Sequence, residues 1–166
     1  MAAKRTLIVV RHAKSSWANA ALADHDRPLN ARGERDAPVM AARLAARGPV
    51  PDFILSSSAK RALATADFFA EALSLGERSV IVRPEIYGAG VEDMLELLQG
   101  LDDEMTVALV VGHNPTFTEL VDLLDGDSIG HLPTCGVVTL EMDDAPWAAV
   151  HEGMFRIVDF DYPKKA

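Results

Sequence analysis

Three shortages narrow the reading of this sequence. It holds a single cysteine, Cys135, in 166 residues, so no disulfide can form within the chain. That suits a reducing compartment. Positive charge is scarce: 16 Lys and Arg stand against 25 Asp and Glu, for a net charge of −9 and a pI near 4.9. A nucleic-acid-binding domain is expected to carry a basic stripe, so this balance argues against one, while leaving room for a local cationic pocket. Long apolar runs are also missing. The opening stretch MAAKRTLIVVRH contains only four consecutive apolar residues, where a secretory core needs about 7 and a membrane span about 20. These features predict a cytoplasmic protein that does not enter a membrane. No repeat or low-complexity segment is present.

What the sequence does hold is enough apolar mass for one core: 49% hydrophobic against 25% charged residues, in a length typical of one domain. We therefore expect a single domain over residues 1–166. Strand-like runs occur at 6–10, 52–56, 79–83, 106–111, 136–142 and 155–160. The first and fourth are apolar throughout, as in a sheet covered on both faces. The sixth alternates and suits an edge. Helical periodicity marks 59–75, where Ala62, Ala66, Phe69, Ala70 and Leu73 share a face, and 115–124, where Phe117, Leu120, Val121 and Leu124 do. Asn114, Pro115 and Gly126 supply start and stop signals for the latter. A short helix is expected at 91–99. Another is expected at about 34–47, where Pro38 implies a late start or a kink. Strands alternating with helices predict an α/β three-layer sandwich around a mostly parallel sheet. The last two strands have no helix between them, so they should pair antiparallel and make the sheet mixed.

In such sheets ligands bind where strands run out into loops and helices. Three polar clusters fall there. Arg11-His12 follows the first strand, SSSAKR with Arg61 follows the second, and GHNP with His113 follows the fourth. Helix N-termini add unpaired N–H groups and positive dipole. With Arg11 and Arg61, each able to bind two oxygens, the set suits a tetrahedral oxyanion. A neutral His12 beside such a pocket can attack phosphorus and carry the phosphoryl group, provided an acceptor holds its other ring nitrogen. His113 would donate to a non-bridging oxygen. Phosphoryl transfer needs mainly positioning and charge neutralisation, which two imidazoles and two guanidinium groups supply.

The ordered motifs RHAKSSW, SSSAKRALATA and GHNP resemble the histidine phosphatase superfamily, with Ala13 where its RHG motif has glycine. Together with DHDRPLNARGERDAP and LPTCGVVTLE they look like the phosphohistidine phosphatase, SixA-like, branch, over about residues 6–160. The resemblance implies a phosphoglycerate mutase-like fold without a large cap insertion. It also implies His12 as nucleophile, Arg11, Arg61 and His113 around the phosphate, and Ser57 as a further phosphate-binding hydroxyl. No cofactor or metal is implied. Lys14 stands where mutase-like relatives have Glu, and Ala18 follows Trp17 where they have Asn, which points away from mutase chemistry. The candidate proton donor is Glu85 in RPEIYGAG, at a spacing that departs from the family pattern. A missing acid is chemically consistent with a phosphohistidine substrate, because solvent can protonate a departing imidazole near neutral pH, whereas an alkoxide needs a positioned acid. The implied substrate is a phosphorylated histidine-containing phosphotransfer protein of a signalling phosphorelay. The alternatives are a phosphatase or mutase for small phosphate esters, a metallohydrolase and a phosphohistidine-binding module. HExxH-type and paired-Cys ligand spacings are absent, which weakens the metallohydrolase.

Other polar and aromatic residues have simpler expectations. Ser57 competes with Ser56 and Ser58 to cap the following helix. Arg27 and Arg32 should tether the 24–33 loop by salt bridges. His25, His131 and His151 read as structural, Trp17, Phe53 and Phe69 as packing residues, and Cys135 as a small buried apolar group.

Overall fold

The computed structural model describes residues 4–165, the side chain of Glu77 excepted. Its first strand, β1 (Arg5–Arg11), owes its form to the run of β-branched and apolar residues at 7–10. Side chains alternate across it: Leu7 and Val9 enter one core cluster, Ile8 and Val10 the other. All four are wholly buried, because β1 lies inside a six-stranded sheet. Burying each such side chain stabilises by roughly 1.5–3 kcal/mol.

The remaining strands are β2 (Phe53–Ser56), β3 (Val80–Val82), β4 (Val107–Gly112), β5 (Val137–Met142) and β6 (Arg156–Asp161), in the order β3-β2-β4-β1-β5-β6. β3, β2, β4 and β1 run parallel. β5 and β6 are antiparallel, as their lack of an intervening helix predicts. Helices α1 (Ala31–Arg47) and α2 (Lys60–Ala72) cover one face. Helices α3 (Val91–Gln99) and α4 (Thr116–Asp125) cover the other. This is the expected three-layer α/β/α sandwich. Among the described residues, no helix is long and apolar enough to cross a membrane.

One helix departs from expectation. α1 begins at Ala31 rather than 34 and continues through Pro38. The Asn30 side chain accepts the Gly33 N–H at 2.8 Å, which caps the start and is worth about 1 kcal/mol. Proline inside a helix costs about 3 kcal/mol. Burial of Met40 and Leu44 on the same helix offsets it, at roughly 1.5–3 kcal/mol each.

The start of α1 is also strapped to the segment that follows β1. Asn30 N–H donates to the Lys14 carbonyl at 3.0 Å, Ser16 N–H to Pro28 at 2.8 Å, and Ser15 bridges Leu29. Gly33 makes this approach possible: a Cβ there would stand 2.1 Å from the Lys14 carbonyl oxygen. The loop carrying His12 is thereby pinned between β1 and α1.

Candidate active site

Arg11 and His12 leave β1 beside the end of β4, where the His12 N–H donates to the Gly112 carbonyl at 3.0 Å. The His12 ring is buried, and its Nδ1 lies 2.7 Å from the carbonyl oxygen of Ala13. A carbonyl can only accept, so Nδ1 carries the hydrogen and Nε2 keeps its lone pair. Burial lowers the pKa of His12 to about 3, helped by the nearby His113, Arg61 and Arg11 and opposed by the Ala13 carbonyl. At neutral pH the ring is uncharged. Ala13 is held in turn: its N–H donates to Thr65 Oγ1 at 3.0 Å, and the Thr65 hydroxyl donates to the Arg61 carbonyl at 2.8 Å.

Arg61 lies in the first turn of α2 and is buried. Its Nε–H points at His12 Nε2, 3.4 Å away. Arg11 donates through Nη1 to the Leu132 carbonyl at 3.1 Å. His113 follows β4, with its ring centroid 5.2 Å from that of His12. Burial, and then Arg61, lower its pKa to about 4. Its Nε2 meets Ser57 Oγ at 2.7 Å. Arg11 Nε and His113 Nδ1 are buried without a hydrogen-bond partner among the described residues. Unsatisfied buried polar atoms are costly, and here both belong to side chains that line one hollow.

That hollow has a volume of about 620 Å³. Among the described residues, Arg11, Lys14, Arg27 and Arg61 contribute positive charge to its lining, against the single carboxylate of Asp24. An acidic chain has thus gathered cations at one place, as the anion-pocket reading requires. Residues 114–117, at the entry to α4, complete the wall. The N-cap of this helix is Pro115 rather than Asn114, and Asn114 Oδ1 reaches past it to accept the Thr118 N–H at 3.0 Å.

The structure brings Arg11, His12, Arg61 and His113 together, while two other candidates lie elsewhere. Ser57 is wholly buried and stands behind His113, not on the surface of the hollow. Its Oγ also accepts the Ala59 N–H at 3.1 Å, so one hydroxyl supports both an imidazole and the approach to α2. Glu85 pairs with Arg83 and faces a separate hollow that includes Asp93. The short turn Pro84–Ile86 aims Glu85 away from His12 and leaves the neighbouring Tyr87 at the site.

Several site residues escaped the sequence reading. Asp24 Oδ2 accepts from Arg61 Nη2 at 3.0 Å and from the Tyr87 hydroxyl at 2.8 Å, and Oδ1 accepts from Arg27 Nε at 3.0 Å. The Tyr87 bond, with Arg61 and Arg27, holds the Asp24 carboxyl well below the usual carboxylate range. Tyr87 also stands edge-on to both His25 and His113; His25, which meets Ser58 Oγ at 2.8 Å, packs against Tyr87 without lining the hollow. Trp17 is not a core residue: it is 73% exposed, with the Arg27 guanidinium stacked 3.6 Å from its ring centre. The one available signal was the charge alternation DHDR at 24–27, which predicts the Arg27 salt bridge but not its partners. Arg32 pairs with Asp36 inside α1, so it does not tether the loop.

Fold and site together define an α/β protein whose sheet ends in a cation-lined hollow that holds a neutral histidine. The comparisons agree. The model of the histidine phosphatase superfamily (branch 1) matches residues 7–89. An uncharacterised protein of Mycobacterium tuberculosis H37Rv is 34% identical over 165 aligned positions, covering 93% of this chain and 100% of its own. An uncharacterised chloroplastic protein of Arabidopsis thaliana is 35% identical over 151, covering 86% and 69%. A solved structure assigned as the phosphohistidine phosphatase SixA of Agrobacterium tumefaciens superposes with a TM-score of 0.82 at 29% identity, over 96% of this chain and 98% of that one. The chain belongs to the histidine phosphatase superfamily and shares the SixA fold.

Proposed function

We propose that the protein is a phosphohistidine protein phosphatase that works through a covalent phosphoryl group on His12. The observation that carries this reading is the Nε2 lone pair of a neutral, buried imidazole, set beside the guanidinium of Arg61 at the floor of a cationic hollow. Nε2 attacks phosphorus, and the P–N bond to the substrate imidazole breaks with its electron pair moving onto the departing ring. A ring already protonated at its other nitrogen leaves as neutral imidazole. Water then attacks phosphorus, the P–Nε2 bond breaks, and phosphate departs. Arg11, Arg61 and His113 bind the phosphoryl oxygens throughout.

The lining residues favour an imidazole leaving group over an alkoxide. Asp24 is the one carboxylic side chain among them, and it is held ionised by three donors. It has no proton to give, so among the described residues an alkoxide would find no positioned carboxylic acid. A rim that carries exposed Trp17 and Tyr87 suits a side chain presented by another protein, and a histidine-containing phosphotransfer protein is the substrate we propose. Small phosphate esters are the second reading. The reaction is proposed to be metal-independent: among the described residues, no three His, Cys, Asp or Glu side chains group as a metal site.

The test is turnover of a phosphorylated phosphotransfer domain beside an aryl phosphate, by wild type and His12→Ala, with and without chelator. The proposal expects preference for the protein substrate, loss with His12→Ala and no effect of chelator. Preference for the ester would favour the second reading.

A further inference from the structure

We propose that Asp24 is the positioning residue for Arg61, turning one defined edge of its guanidinium toward the phosphoryl group on His12; this rests on the phosphatase reading above.

A guanidinium offers two bidentate edges, an end edge of Nη1 and Nη2 and a side edge of Nε and Nη2. Asp24 engages both terminal nitrogens of Arg61. Its backbone carbonyl accepts from Nη1 at 2.7 Å, and its carboxylate accepts from Nη2 at 3.0 Å. Nε is the one guanidinium nitrogen that Asp24 does not engage, and it stands 3.4 Å from His12 Nε2. That contact is long for a hydrogen bond and is easily exchanged for a phosphoryl oxygen.

Asp24 is itself fixed from two directions. The Tyr87 hydroxyl, from the turn after β3, donates to Oδ2 at 2.8 Å. Arg27 meets Oδ1 through Nε and Nη2, both at 3.0 Å, while its Nη1 donates to Ser15 Oγ at 2.7 Å. The chain of contacts therefore runs from the loop after β1, through Arg27 and Asp24, to Arg61 on α2. An arginine freed from this chain regains its rotamers, and misplacing a catalytic group by about 1 Å can cost about 100-fold in rate. The carboxylate's acceptor positions are filled by these donors, which separates positioning from proton donation.

The experiment compares Asp24→Ala, Asp24→Asn and Tyr87→Phe, each with intact Arg61, and Asp24→Ala combined with Arg61→Ala. Substrates are a phosphorylated phosphotransfer domain, 4-nitrophenyl phosphate and phenyl phosphate, and circular dichroism checks folding. Positioning predicts that Asp24→Ala lowers kcat by about 10–100-fold with a much smaller change in KM. Asp24→Asn keeps an oxygen toward Arg61 and recovers most of the loss. In the Arg61→Ala background the Asp24 change adds almost nothing, because the two residues act as one unit. Equal loss in Asn and Ala that grows from the nitrophenyl to the phenyl ester would make Asp24 a proton donor and overturn the proposal, as would fully multiplicative effects with Arg61→Ala.

A readout independent of turnover is the 15N resonance of Arg61 Nε–H, titrated with inorganic phosphate. It should be sharp and phosphate-responsive in wild type, weakened in Tyr87→Phe and broadened in Asp24→Ala. An unchanged Asp24→Ala resonance overturns the positioning role. Broadening of that resonance in a chain that hydrolyses none of the substrates would sustain the positioning role and refute only the phosphatase reading.

Discussion

Nδ1 of His12 donates to the carbonyl oxygen of Ala13 across 2.7 Å, and this one bond decides which end of the ring can react. A backbone carbonyl cannot donate, so in the neutral ring the opposite nitrogen keeps its lone pair. Burial then keeps the ring uncharged.

His12 and His113 should therefore be titration-silent around neutrality. With pKa values lowered to about 3 and about 4, both rings stay neutral from pH 8 down to pH 5. Their ring-proton NMR shifts should be flat across that range, and a midpoint near 6.5 would contradict the burial argument.

The same shifts act on stability. Unfolded histidines take up a proton below about pH 6.5 and the buried ones do not, so the unfolded state binds more protons and stability falls as pH drops from about 6.5 toward the folded values. Asp24 works in a different window: its depressed pKa contributes stability above about pH 3.9 that is lost only below it. His12→Gln should flatten the decline in urea stability between pH 7 and pH 5, and an unaltered slope would count against a neutral buried ring.

Ser57 acts through His113, so its removal should weaken catalysis without emptying the pocket. A buried group left without its partner costs about 1–3 kcal/mol, and about 1.4 kcal/mol is tenfold in rate. Ser57→Ala should lower kcat/KM by roughly tenfold while circular dichroism stays unchanged. Loss as complete as that of His12→Ala would mean that Ser57 touches the reacting group.

Cys135 is wholly buried, and burial pushes its thiol up to about 12. Alkylation needs the thiolate. Iodoacetamide at pH 8 should leave the native protein unmodified over a time that labels the urea-unfolded chain fully. Rapid labelling of the native protein would contradict this placement.

Much of this architecture was legible beforehand. The six strands and the convergence of Arg11, His12, Arg61 and His113 followed from apolar periodicity and from the habit of parallel sheets to bind ligands at strand ends. The bond that fixes the His12 tautomer involves a backbone carbonyl and has no side-chain signature. Asp24 and Tyr87 are 63 residues apart and meet only because two loops fold over the same strand ends. Trp17 misled because an aromatic residue beside a motif reads as core, whereas a cation over its ring holds it at the rim. Glu85 misled because spacing along a chain does not reveal which way a short turn points a carboxylate.

The central claim is that Nε2 of His12 carries the phosphoryl group. The most direct measurement is a rapid acid-free quench of wild type mixed with 32P-phosphorylated phosphotransfer domain, followed by peptide mapping. The account predicts acid-labile, base-stable label on the peptide containing His12 and none in His12→Ala. Turnover with label never found on that peptide, or undiminished turnover in His12→Ala, would contradict it.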